Sequence, residues 1–377
     1  MAEIIFWVSL SLILYAYFGY PALLYLVSAV KSNSIQKGPV QPRITIIIAA
    51  HNEERSIGGK IENTLCLDYR PEQREIIVAS DGSTDRTNEI VLGYKDKGII
   101  LVAPLERKGK EHAQWQAIDV ATGDILVFSD VATTLEKDAL IHIASNFHDP
   151  TIGCVSSEDK ILVDPKTSGG EGFYVKYEML LRRLESKVNS VVGLSGSFFA
   201  VRRNLCREWS TILPSDFLLV IRAVKNGYRA VIDPLTVGSY KSVRSEKEEF
   251  QRKRRTVMRG IAVLMNHPEI LNPFKYGFFS IQLISHKLLR WLVPLFAVCV
   301  FVSNVCLIAE SPAYQVLFAG QMVFYVLAVL GLLVKPLNRN VLVKVPAFLT
   351  LVNLSIAVAW IKYLFGHRAI RWEPSRR

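Results

Sequence analysis

The stretch ILVFSDVATTL, residues 125–135, runs four apolar residues into Ser129 and Asp130. A buried strand ending this way delivers one carboxylate to the edge of a sheet, where α/β proteins bind ligands. A metal-holding aspartate there usually has an acidic partner two positions on, and here that position is Ala132. Other polar groups stand at comparable strand ends. His51, Asn52 and Glu53 follow RITIIIAA, and Asp81 follows EIIVAS. A basic run, QRKRR at 251–255, comes later. Carboxylates of this kind take a proton from a hydroxyl or hold a divalent cation, and clustered Arg and Lys meet phosphate. Each has a plainer reading too: 51–53 suits a helix cap, Asp81-Gly82 a turn, Asp130 a strand end. Their joint occurrence at three strand ends favours one shared crevice.

The elements that must position these groups follow from periodicity. RITIIIAA (43–50), EIIVAS (75–80), GIILVAP (98–104) and DILVF (124–128) are short apolar runs rich in β-branched residues, the mark of strands buried on both faces. HNEERSIGGKIENTL and KEHAQWQAIDVA read as helical between them. Ser83 or Asp85 is placed to cap the helix after the second strand. Strand–helix alternation at this spacing predicts a mostly parallel, Rossmann-like α/β sheet with helices on both faces.

Composition places this unit at a membrane. Half of the 377 residues are apolar. Ile4 to Val30, Trp291 to Ala309, Ser311 to Val334 and Val345 to Ile361 carry almost no charge, and about 20 such residues span a bilayer. The first run lacks a basic leader and a clear cleavage site, so it reads as a retained helix, kinked at Pro21. Lys31, Lys37 and Arg43 follow it and predict a cytoplasmic globular part. The basic tail GHRAIRWEPSRR conflicts with three full C-terminal crossings, which favours a re-entrant or interfacial last segment. The expected division is 1–38, a membrane helix and linker; 39–271, the globular domain; 272–290, an amphipathic interface helix; and 291–377, membrane region and tail. The net charge of +11 suits a domain held against anionic lipid better than one bound to nucleic acid. Five cysteines with no C-x-x-C pair fit a reduced compartment without a zinc site, and His286 has no second ligand spaced near it.

IIIAAHNEE, VASDGSTD, GDILVFSD, GSFFAVRR and FLLVIRAVKNGYRAVIDP occur in an order that resembles family 2 glycosyltransferases of the GT-A fold. QRKRR ahead of a cluster of apolar spans looks like the membrane-bound polysaccharide synthases of that family. The resemblance implies an inverting transferase. It would move a sugar from a nucleotide diphosphate sugar, with a UDP-sugar the expected donor, to a lipid-linked or growing glycan, with Mg²⁺ or Mn²⁺. It further implies Asp216 as general base and Asp130 as metal ligand. Ala49, Glu53, Asp81, Lys110, Asp130, Gln251, Arg254 and Arg255 would face the nucleotide sugar, and Gly196 and Ser197 the acceptor. The chain departs from the pattern at Ala132, at Arg255 in place of a tryptophan, and at Ser80 and Ser215 in place of acidic residues. The altered basic motif fits addition of one or a few sugars as well as long-chain synthesis. A lipid-phosphate glycosyltransferase and a non-catalytic membrane partner subunit are the alternatives. Homo-oligomers or export partners are compatible with either. Tyr174, Tyr177 and Glu178 on the helix at 169–188 suit sugar stacking or plain core packing.

Overall fold

The computed structural model describes residues 1–162, 171–241, 246–334, 336–337 and 340–368. The far end of the basic tail, and residues 242–245 of the charged run after 241, lie outside them. The globular part is built on strands β1 (Ile44–Ala50), β2 (Arg74–Ser80), β3 (Ile99–Val102), β4 (Ile125–Asp130), β5 (Thr134–Leu135), β6 (Ile152–Leu162), β7 (Phe198–Arg202) and β8 (Arg229–Lys241). They form one sheet in the order β3-β2-β1-β4-β7-β6-β8-β5. The β3-β2-β1-β4 half is parallel, as the continuous apolar runs require, and its register sets Ala49 opposite Ala79 and Asp130. Beyond β4 the sheet becomes mixed, because β7 pairs antiparallel with both β4 and β6.

Alternation along these strands fills two cores. Ile46, Ile48, Val78 and Val127 face helices α1 (Ile57–Leu65), α2 (Thr87–Leu92) and α3 (Ala139–Ser145). Ile47, Ile77, Leu126 and Phe128 face α4 (Lys110–Val120), α5 (Glu171–Val188) and α6 (Ser215–Lys225). Phe128 stacks between Phe199 and Trp209, with ring centroids 4.9 and 5.5 Å away.

Among the described residues, four helices are long and apolar enough to cross a membrane: Ala2–Val30, Phe278–Leu307, Pro312–Leu333 and Val341–Leu364. The last is 24 residues, about 36 Å at 1.5 Å per residue, which is enough to cross outright. The first is continuous through Pro21 by way of a π turn at Tyr15–Gly19. A second π turn, Ile284–Leu288, interrupts Phe278–Leu307, and the Tyr15 and Ser285 hydroxyls join the two at 2.9 Å.

The second core does not stop at the domain. It takes in Trp291, Val352 and Ile356 from the apolar helices. Trp291 meets Phe217 edge-on at 6.4 Å and backs onto Gly260, where an added Cβ would lie 2.8 Å from its ring. Gly260 belongs to α7 (Glu246–Asn266), the helix that carries the basic run.

Candidate active site

The carboxyl ends of β1, β2 and β4 open on one side of the sheet, and the residues after them interlock. Asn52 adopts φ 52°, a left-handed conformation that asparagine tolerates because its short side chain bonds locally. Its Oδ1 accepts the Thr84 N–H at 2.8 Å, and its own N–H donates to Ser83 Oγ. Asp85 caps α2 by accepting the Thr87 N–H and hydroxyl. Gly82 follows with φ +57°, and a Cβ there would stand 2.8 Å from the Arg107 nitrogen, so only glycine fits the turn.

Asp81 is buried at the end of β2. Its carboxylate accepts the backbone N–H groups of Lys108 and Gly109 at 2.9–3.0 Å, with Arg107 Nε 3.8 Å away. It thereby fixes the 107–109 loop, which starts α4 and aims Lys110. Lys110 Nζ donates to Asp130 Oδ1 at 2.5 Å and to the Gly196 carbonyl at 3.2 Å. Against Gly196 also lies Asp216, in the first turn of α6. A Cβ on Gly196 would approach Asp216 Oδ2 to 3.0 Å. An acidic side chain is favourably placed beside the partial positive charge of a helix N-terminus.

Two residues join this cluster that the sequence reading did not single out. Lys60 is buried, and its ammonium donates to Ser129 Oγ at 2.8 Å and to the Thr133 carbonyl at 2.6 Å, bracing the turn that exposes Ala132. Burial lowers its pKa to about 7, against the pull of Asp130. Asp159 accepts from Ser195 Oγ at 2.6 Å and Ser197 Oγ at 3.0 Å, and the Ser197 carbonyl accepts the Asp130 N–H. Asp159 thus shapes the small-residue loop around Gly196. Glu53 faces the same crevice. Burial raises its pKa, a hydrogen bond from Ser56 opposes this, and the charges of Asp130 and Asp85 raise it further.

The structure therefore draws Lys110, Asp130, Gly196, Ser197 and Asp216 into one contact chain, with Ala49 beside Asp130 by register and Asp81 behind the loop. Gln251, Arg254 and Arg255 lie on α7: Gln251 is exposed and the two arginines half-buried. Among the described residues, Gln251 and Arg254 make no side-chain hydrogen bond to the cluster. α7 reaches α4 instead through an ion pair between Arg259 and the buried Glu111.

No set of three His, Cys, Asp or Glu side chains fit to hold a metal occurs among the described residues. Asp130, the one carboxylate expected to hold a metal, has one oxygen on Lys110. That fits Mg²⁺ or Mn²⁺ only where substrate phosphate oxygens complete the coordination, as is usual for Mg²⁺.

A Rossmann-like mixed sheet with carboxylates at its parallel strand ends and a basic residue over them is a GT-A fold. The chain matches the family model for glycosyl transferase family 2 over residues 45–209. It is 29% identical over 203 residues to the poly-beta-1,6-N-acetyl-D-glucosamine synthase of Staphylococcus aureus strain COL, covering 52% of this chain and 48% of that one. It is 26% identical over 209 residues to the probable glycosyltransferase YdaM of Bacillus subtilis strain 168. The chain spans about half the length of these curated relatives. In fold it is similar along nearly its whole length to the mannosyltransferase PcManGT from Pyrobaculum calidifontis, solved with GDP-Man and Mn²⁺. The TM-score is 0.70 at 22% identity, over 97% of this chain and 99% of the other.

Proposed function

We propose that the protein is an inverting membrane glycosyltransferase. It moves a sugar from a nucleotide diphosphate sugar to a hydroxyl of a lipid-linked or growing glycan, with its globular domain on the cytoplasmic face. One observation carries the reading. Lys110, joined to Asp130, and the Asp216 carboxylate both lie against Gly196. A phosphate seat and a base are thus one residue apart, the separation that an in-line displacement at a sugar C1 needs.

In this reaction the acceptor oxygen bonds to C1 as the bond from C1 to the diphosphate breaks. Asp216 takes the hydroxyl proton. Lys110 leaves Asp130 for the departing diphosphate and meets its growing charge. Mg²⁺ or Mn²⁺, held by Asp130 and the donor phosphates, would supply further charge stabilisation when bound. Asp81 acts as a positioning residue through the 107–109 loop. Ala49 and Glu53 line the nucleoside side, and Gly196 and Ser197 the acceptor side. Gln251, Arg254 and Arg255 are assigned to the acceptor's approach along α7.

Purified full-length protein should release nucleoside diphosphate from one member of a UDP- and GDP-sugar panel with Mg²⁺ or Mn²⁺. The names of its relatives put UDP-N-acetylglucosamine and GDP-mannose first in that panel. Asp216→Asn should keep donor binding and lose about 10²- to 10⁴-fold in turnover. Full activity in that variant refutes the base assignment. Absence of binding to every donor supports the partner-subunit alternative.

A further inference from the structure

A second group of charged side chains lies where the globular domain meets the apolar helices. Helix α5 stands between the first membrane helix and Phe278–Leu307. Glu178 on α5 accepts Arg290 Nη1 at 2.6 Å and lies 3.1 Å from His286 Nε2. Glu185, one turn pair further, accepts the Tyr20 hydroxyl at 2.6 Å and the Val192 N–H at 3.3 Å, and lies 2.7 Å from His286 Nδ1. Both carboxylates are thus fully engaged. The π turn at Ile284–Leu288 adds a residue to this turn of helix, and both His286 and Lys287 lie within it.

Two cations remain over. The charged groups acting on Lys287 are Glu178, Arg182, Arg290 and Glu185. Lys287, Arg182 and Arg290 are thus three cations within electrostatic reach of one another, and the two carboxylates beside Lys287 already have other partners. Among the described residues, neither Lys287 nor Arg182 has a side-chain hydrogen bond or ion pair, and Arg182 Nη1 is shielded from solvent without a partner. Both side chains are half-buried, and adjacent cations without a counter-charge suit an anion that accepts from both.

Its place says which anion. Lys287 Nζ lies 3.7 Å from where a Gly193 side chain would begin. Gly193 is three residues before Gly196, hence at most about 10 Å along the chain from the glycine that touches Asp216. That distance is on the scale of one sugar ring with its linkage. Lys287 is also carried on a helix apolar enough to cross a membrane. The donor phosphates have Lys110 and Asp130, so this second seat belongs to the other substrate.

We propose that Lys287 and Arg182 hold the phosphate of a lipid-linked acceptor, so that the hydroxyl of its attached sugar reaches Asp216. This rests on the glycosyltransfer reading above. The test uses full-length protein in zwitterionic lipid nanodiscs, titrated with decyl phosphate, decyl glucoside and inorganic phosphate. Nucleoside diphosphate binding is measured in parallel on the same samples. Decyl phosphate should bind about tenfold or more tighter than either control, the ratio expected for gaining one charged hydrogen bond. Lys287→Met and Arg182→Met should each remove that preference while nucleotide binding stays unchanged, and Lys287→Arg should keep it. Equal binding of decyl phosphate and decyl glucoside, or an unaltered preference in both methionine variants, overturns the proposal. Inorganic phosphate binding as tightly as decyl phosphate overturns the lipid assignment. If nucleotide binding is absent as well, the glycosyltransfer reading falls, whereas its persistence confines the failure to this site.

Discussion

Lys110 occupies the place that a cation on Asp130 must use, so removing it should change metal binding in a defined direction. The ammonium lies 2.5 Å from Oδ1, with the two side chains 11% and 28% exposed. A fully exposed pair contributes about 0–1 kcal/mol, and breaking a fully buried one costs about 3–5 kcal/mol. This pair lies between those limits, and a hydrogen bond between charged groups contributes about 1.5–3 kcal/mol. In the nucleotide-free protein Mn²⁺ has to displace the lysine first. Lys110→Met removes that competition, so Mn²⁺ affinity without nucleotide should rise about 10- to 100-fold. With nucleoside diphosphate present the wild-type lysine moves to the phosphates, and the two proteins should bind Mn²⁺ within a few-fold of each other. The wild type therefore shows strong positive coupling between nucleotide and metal, and the variant weak coupling, with the same factor seen from either ligand. Loss of the free Mn²⁺ electron paramagnetic signal on titration, with and without UDP or GDP, measures all four affinities. Mn²⁺ binding to nucleotide-free Lys110→Met that is no tighter than to wild type would refute the argument.

Other consequences follow from single contacts. Lys60 has its pKa lowered to about 7 by burial, so from pH 7 to its ordinary 10.5 the unfolded chain carries a proton there that the folded one lacks. The contribution of Lys60 to stability therefore grows with rising pH across that window. Wild type should gain on Lys60→Met by up to about 1.4 kcal/mol per pH unit, read from paired melting curves; parallel curves would contradict it. Gly196→Ala places a methyl 3.0 Å from Asp216 Oδ2 and pushes the carboxylate by a few tenths of an ångström. Turnover should fall about tenfold or more while the donor dissociation constant and the melting temperature hold. Unchanged turnover would separate Asp216 from the reaction.

The first half of the sheet was legible because each parallel strand is a continuous apolar run bounded by turn residues. GCVSSEDKIL was not, since β6 mixes serines and charges and gains its place only by pairing with β7 and β8. The sheet is consequently less parallel than alternation alone predicts. The candidate residues at strand ends were visible for the same reason as the strands. Lys60 left a signal that was passed over: Ile57, Lys60, Ile61 and Thr64 fall at i, i+3, i+4 and i+7, one buried helical face with a lysine in it. Asp159 left none, because Glu158-Asp159-Lys160 reads as solvated charge until Ser195 and Ser197 fold over it. Nor does spacing reveal that Arg182 and Lys287, more than a hundred residues apart, lie within electrostatic reach of each other.

The edge-on packing of Phe217 on Trp291 has a mechanical meaning. Phe217 is the residue next to Asp216, and Trp291 rides on an apolar helix whose tilt answers to bilayer thickness. Acyl-chain length is then a setting on the proposed base, transmitted through two aromatic rings. Turnover in bilayers of short, matched and long chains should pass through a maximum, and Trp291→Leu should flatten that dependence; a flat wild-type profile would show that the rings carry no load.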